Sequence, residues 1–148
     1  MKGSVVIRIR NRRDLEAVIL SLILVVVTLV VCWPVQSFDF VNFDDPIYIT
    51  RNSAIQNGVT WQGILWAFST FHAANWHPLT WLSHMIDFSL YQFRAGGHHW
   101  TSLQIHLLNT LLLFLVLRRM TGASKCSALV AMLFAIHPLH VESVAWVS

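Results

Sequence analysis

The stretch AVILSLILVVVTLVVCW, residues 17–33, decides how the chain is read. From Ala17 to Phe38 there is no charged residue. A run of that length meets the roughly 20 apolar residues that an α-helix needs to cross the hydrocarbon core of a bilayer. Trp33 falls where an interfacial aromatic belongs, so residues 17–34 are predicted as the first transmembrane helix. A cleaved signal peptide is the rival reading, because Val35-Gln36-Ser37 loosely resembles a cleavage site, yet the run is longer than a usual signal core. A lipoprotein signal at Cys32 is disfavoured, because Val31 stands where a small residue is wanted.

Working outward, the composition agrees with a membrane protein. Of 148 residues, 55% are hydrophobic and 11% charged, against about 25% charged in a soluble domain; the mean hydropathy is +0.57. The net charge of +3 is distributed in a way that fits membrane insertion better than nucleic-acid binding. Lys2, Arg8, Arg10, Arg12 and Arg13 precede the first run, and Arg118, Arg119 and Lys125 follow the second. Between them, Arg51 and Arg94 stand against Asp39, Asp44, Asp45 and Asp87. This is the positive-inside pattern; it predicts a cytoplasmic basic tail (1–16), an extracytoplasmic loop (35–97) and a cytoplasmic loop (118–125). Cys32 and Cys126 then lie on opposite sides, which makes a disulfide between them an unexpected pairing.

The second predicted span, 98–117, lies in the uncharged stretch AGGHHWTSLQIHLLNTLLLFLVL and closes on Arg118-Arg119. Its first half carries His, Thr, Ser, Gln and Asn, which at membrane depth should face protein or a wet cavity. The third run, 126–148, is interrupted by His137-Pro138 and is read either as a kinked or re-entrant third span, or as a short helix followed by an interfacial one. Within the long loop, Asn57-Gly58 signals a turn and Thr60 can cap a helix carrying Trp61, Ile64, Leu65 and Phe68 on one face. Another helix should start with Pro78 at its first position and carry Leu82, Met85, Ile86 and Leu90. Trp61, Trp66, Trp76, Trp81 and Trp100 lie in or beside this loop, which predicts two interfacial helices along the outer membrane surface. The expected fold is therefore all-α integral membrane, with about three transmembrane helices.

Two adjacent carboxylates, Asp44 and Asp45, precede Pro46 in the segment NFDDPIYITRN. Pro46 fits the first position of a helix, and Asp45 can cap it by accepting from a free backbone N–H. Neighbouring side chains on an extended segment point to opposite sides, so one carboxylate can cap while the other faces a cavity. A carboxylate at the outer mouth of a membrane cavity is suited to proton abstraction; one that is merely solvated is the plainer reading.

This segment, followed by ANWHPLTWLSHMIDFSL, GGHH, IHLLNTLLLF, MTG and SALVAMLFAIHPLHVESVAWVS, resembles the N-terminal portion of bacterial membrane proteins that join a multi-span glycosyltransferase region to C-terminal tetratricopeptide repeats. These are similar to the transmembrane and tetratricopeptide-repeat O-mannosyltransferases, within the C-type (GT-C) glycosyltransferase superfamily that includes the protein O-mannosyltransferases. The resemblance implies inverting transfer of a mannose-like sugar from a polyprenyl-phosphate donor to a protein or glycan hydroxyl on the extracytoplasmic side, in a bacterial inner membrane with the N-terminus in the cytoplasm. An FDE-type signature would lie over Phe43-Asp44-Asp45, which implies Asp44 as general base and Asp45 as second carboxylate or helix cap. Arg51 is the nearest cation for the leaving lipid phosphate, and His98, His99, His106 and Glu142 are further candidates for binding substrate. Ser102 stands where relatives usually carry Asn, and Lys125-Cys126 near a usual Trp. The relatives continue through further spans and the repeats, so this polypeptide alone is expected to be inactive.

Eight histidines invite a metal. His137-x-x-His140 with Glu142, or His98-His99 with His106, supply ligands, although neither has the HExxH pattern of a zinc hydrolase. A divalent cation, Mg or Mn, bridging Asp44 or Asp45 to the donor phosphate is the better-supported cofactor reading. Expected partners are membrane lipid, the lipid-linked sugar and its acceptor, with no nucleic acid. The alternative of a different class is a noncatalytic small multi-span protein that packs against a partner, its aspartates serving as caps.

Overall fold

A computed structural model describes residues 12–147. Among the described residues two helices are long and apolar enough to cross a membrane: α1 (Arg12–Cys32) with the 3₁₀ turn Trp33–Ser37 that follows it, and the 27-residue α5 (Ala95–Thr121). Valine-rich runs make weak helices in water, because β-branched side chains lose χ1 freedom. In lipid the backbone must satisfy itself, and a helix is the solution open to a single segment. Helix α1 stops where Pro34 brings no N–H to the ladder, and the chain turns extended at Phe38. Helix α5 ends in a left-handed Gly122 (φ +69°), whose N–H returns to the Arg118 carbonyl at 2.9 Å, the usual C-terminal glycine device. Helix α1 begins at Arg12, ahead of the apolar run, and α5 covers Ala95–Thr121, because polar flanking residues continue the ladder beyond the apolar window.

Between them come α2 (Ser53–Gln56), α3 (Trp61–Ser69) and α4 (Pro78–Tyr91); after them, α6 (Ser124–Ile136) and the short α7 (Val141–Ala145). The 13 residues of α6 reach about 20 Å, short of a bilayer core on their own. His137 is extended (φ −68°, ψ 130°), as a residue before proline prefers. The ladder of α6 therefore breaks at His137-Pro138, and a single turn, Pro138–His140, separates it from α7.

The chain divides into two compact units. One comprises residues 12–31 and Leu107–His137. Its core sets Leu24 and Phe114 against Ala17, Ala128 and Ala131, small residues that allow close approach of helices without a water-driven term. Arg118 closes one end, reaching Asp14 at 3.6 Å, the Arg13 carbonyl at 3.1 Å and the Ser124 hydroxyl at 3.3 Å.

The other unit comprises Cys32–His106 and the segment from Pro138 onward. Its core is Ile49, Ile55, Ala67, Trp81, Met85, Phe88 and Val147. Thr60 caps α3 as predicted, its hydroxyl accepting from Gly63 N–H at 3.0 Å. The apolar face of α3 turns away from this core: Trp61, Leu65 and Phe68 are more than half exposed, while Gly63 and Ala67 face inward. Pro78 opens α4 as predicted. The buried face of α4 is, however, Trp81, His84, Met85, Asp87 and Phe88, with Ile86 and Leu90 exposed. The predicted stripe is thus rotated, because Trp81 and Phe88 fill the space under α2 and α3. The start of α5 passes so close to its neighbours that a Cβ at Gly96 would collide with the Gln36 carbonyl, and one at Gly97 with the Tyr91 ring.

Candidate functional site

Residues 42–44 form a turn that leads through the helical Asp45 into a wide helical turn, Pro46–Thr50. Arg51 N–H reaches five residues back to the Pro46 carbonyl at 2.9 Å, the spacing of a π-type turn. Side chains complete this loosened geometry. Gln56 Nε2 donates to the Ile49 and Thr50 carbonyls (3.2 and 2.8 Å), and Asn52 Nδ2 and His72 Nε2 donate to that of Ile47 (3.3 and 3.2 Å). Tyr48 anchors the turn by stacking on Trp81, ring centres 5.0 Å apart, and on His77 at 5.6 Å. The two aspartates are therefore held by packing of the residues just after them.

Asp45 occupies the position before Pro46 but does not cap the turn. Its Oδ2 accepts instead from the Val41 backbone N–H at 2.7 Å, and the residue is fully buried. The physical reason is the conformation: Asp45 is already helical (φ −53°, ψ −32°), whereas a capping residue sits in the extended region with its side chain over the first turn. Asp45 Oδ1 is buried with no hydrogen-bond partner among the described residues, and His99 lies within electrostatic reach of the Asp45 carboxylate. Asp44 is half-buried on the same turn, its carbonyl accepting from Ile47 and Tyr48 N–H at 2.8 and 3.0 Å. Arg51 is exposed at the far end.

The first half of α5 carries the predicted histidines, and all are buried. His98 donates through Nε2–H to the Gln92 carbonyl at 2.9 Å and meets the Phe40 ring edge-on at 5.4 Å. His99 packs against Phe38. His106 lies with its ring centre 6.1 Å from that of His140. Among the described residues His98, His99 and His106 do not converge, because His98 and His99 diverge by about 100° around the helix and His106 lies about 12 Å further along it. The side chain of Glu142, and with it the His137, His140 and Glu142 grouping, lies outside the described residues.

Three side chains do converge. His84 and Asp87, one turn apart on α4, and His98 on α5 bring a ring nitrogen each and a carboxylate oxygen within 4.8 Å of one another. Thr101 Oγ1 donates to Asp87 Oδ1 at 2.7 Å. Burial pushes the His84 imidazole down to about 4, assisted by His98 and His77. Burial raises the Asp87 carboxyl, opposed by the Thr101 hydrogen bond and by His98. All three line a cavity of about 310 Å³ with Thr80, Ser83, Thr101 and Ser102. His84 and Asp87 were not among the residues singled out from the sequence; the signal was the HxxD spacing in SHMIDF, which puts both on one helix face.

Among the described residues the chain is all-helical, with two helices able to span a membrane, and the class this defines is an all-α membrane protein. Over 71 residues the chain is 32% identical to Protein O-mannosyl-transferase Tmtc1 of Drosophila melanogaster. The match takes in 48% of this chain and 8% of that protein. No protein-family model matches the chain, and no solved structure matches it.

Proposed function

We propose that the chain is the N-terminal part of a membrane glycosyltransferase that takes a mannose-like sugar from a polyprenyl-phosphate donor. The observation that carries this reading is the 32% identity to an O-mannosyl-transferase, a similarity in keeping with the motif order from Asn42 onward. Because the match covers 8% of that relative, activity is assigned to a longer polypeptide. In this reading the N-terminus is cytoplasmic in a bacterial inner membrane, α3 and α4 lie at the outer surface, and α6 with the segment beyond Pro138 forms a third, broken crossing.

Asp44 is the general base. It takes the proton of an acceptor hydroxyl as that oxygen bonds to the anomeric carbon, while the bond from that carbon to the lipid phosphate breaks and the phosphate leaves with the electron pair. The charge that builds on the sugar is oxocarbenium-like, as in glycoside hydrolysis. Supporting this role, Asp45 is committed to Val41 N–H, whereas Asp44 is half-buried on a turn pinned by Tyr48. Arg51 offers positive charge for the departing phosphate. The test is Asp44→Asn in the native-length protein, assayed for sugar transfer in membranes. General-base removal should lower the rate by about 10²- to 10⁴-fold with unchanged insertion; full activity would eliminate Asp44 as the base, and an absence of transfer by the unsubstituted protein would favour the noncatalytic, partner-packing alternative.

A further inference from the structure

We propose that His84, Asp87 and His98 form a binding site for a late first-row divalent metal ion of the zinc type. The argument begins with unsatisfied polar atoms. His84 is 6% exposed, and neither of its ring nitrogens has a hydrogen-bond partner among the described residues. His98 is 1% exposed. Its Nε2–H is spent on the Gln92 carbonyl, so Nδ1 carries the lone pair, and Nδ1 is likewise buried without a partner among the described residues. Buried nitrogens of this kind are normally paired. A carbonyl holding the remote N–H of an imidazole is the outer-shell arrangement that fixes a ligating tautomer.

Asp87 supplies the third donor, oriented by Thr101. In a tetrahedral zinc site, ligand bonds of about 2.0–2.2 Å put ligand atoms roughly 3.4 Å apart. The three atoms here lie within 4.8 Å, a gap that small side-chain rotations close. Two imidazole nitrogens and one carboxylate oxygen suit zinc and its neighbours, whereas magnesium and calcium call for oxygen shells. Three protein ligands beside a cavity leave a coordination position for a water or an oxyanion, as in zinc sites that bind exogenous ligands. The proposal does not depend on the transferase reading, and it uses neither Asp44 nor Asp45.

The experiment is metal binding to the purified native-length protein in detergent, stripped with chelator and titrated with Zn²⁺ against a chromophoric competitor, then with Co²⁺ for its visible spectrum. The expected result is one tightly held equivalent per chain at this site. His84→Gln, Asp87→Asn and His98→Gln should each weaken binding by roughly 100-fold or more, beyond the 10- to 100-fold that outer-shell changes cost. A His137→Gln, His140→Gln double variant should bind normally. Should the single variants fail to fold, His84→Cys decides: a retained Co²⁺ site with a new thiolate-to-cobalt charge-transfer band supports the assignment. No stoichiometric zinc, affinity indifferent to the three ligands, loss of binding in the double variant, or no thiolate band in His84→Cys would each overturn it.

Discussion

Asp45 accepts the backbone N–H of Val41 at 2.7 Å, and so turns inward the second of two adjacent carboxylates. A hydrogen bond to a charged group is worth about 1.5–3 kcal/mol. Asp45→Ala should therefore lower stability by about that much, while Asp44→Asn, on the same turn but outside this bond, stays within about 0.5 kcal/mol. Denaturation of both variants in one detergent checks the pair; equal losses would contradict the division of labour between them.

The left-handed residue after α4 offers a second test. Gln92 has φ 53° and ψ −125°, a conformation that costs a side-chain-bearing residue about 1–3 kcal/mol and glycine much less. Its contact with His98 is made through the backbone carbonyl, which glycine keeps. Gln92→Gly should be neutral or stabilising by up to about 1 kcal/mol. A clear loss of thermal stability would mean that the side chain contributes something the backbone geometry does not explain.

Gly97 lies against the Tyr91 ring and Gly96 against the Gln36 carbonyl. Adding a methyl group to such a contact costs about 1–3 kcal/mol. Gly97→Ala and Gly96→Ala should both destabilise, but Tyr91→Gly, which removes the Cβ as well as the ring that an added Cβ at Gly97 would meet, should relieve the first and leave the second unchanged. A double-mutant cycle reads the difference; equal relief would place the strain elsewhere.

Membrane topology can be read by labelling. In a background lacking Cys32 and Cys126, Val59→Cys and Ala123→Cys put thiols at exposed positions. The proposed orientation predicts that a membrane-impermeant maleimide reaches the first in intact spheroplasts and the second only after lysis. The reverse pattern would invert the orientation and remove Asp44 from the outer side.

The size of the native product bears on everything proposed for catalysis. An immunoblot against the loop around Trp61 should find a membrane protein several times larger than 16.9 kDa. A product at that mass would end the transferase reading for this chain.

Much of this architecture was legible in the residues themselves. The apolar run through Val25 and the polar-to-apolar run before Arg118 announced α1 and α5, because length and hydrophobicity alone meet the bilayer's demand. Thr60, Pro78 and Gly58 marked their helix starts and turn through bonds and dihedrals that involve only near neighbours. Such features need no knowledge of the rest of the fold.

Three things were decided only in the tertiary structure. Trp81 and Phe88, rather than Ile86 and Leu90, form the inner side of α4, since several faces of that helix are apolar enough and only the shape of α2 and α3 selects one. The Asp45 carboxylate turned back to Val41 because the backbone was already helical at that residue. His84, Asp87 and His98 meet because two helices are brought side by side. Periodicity along one helix specifies which residues share a face, whereas the distance between side chains of different helices is set by long-range packing.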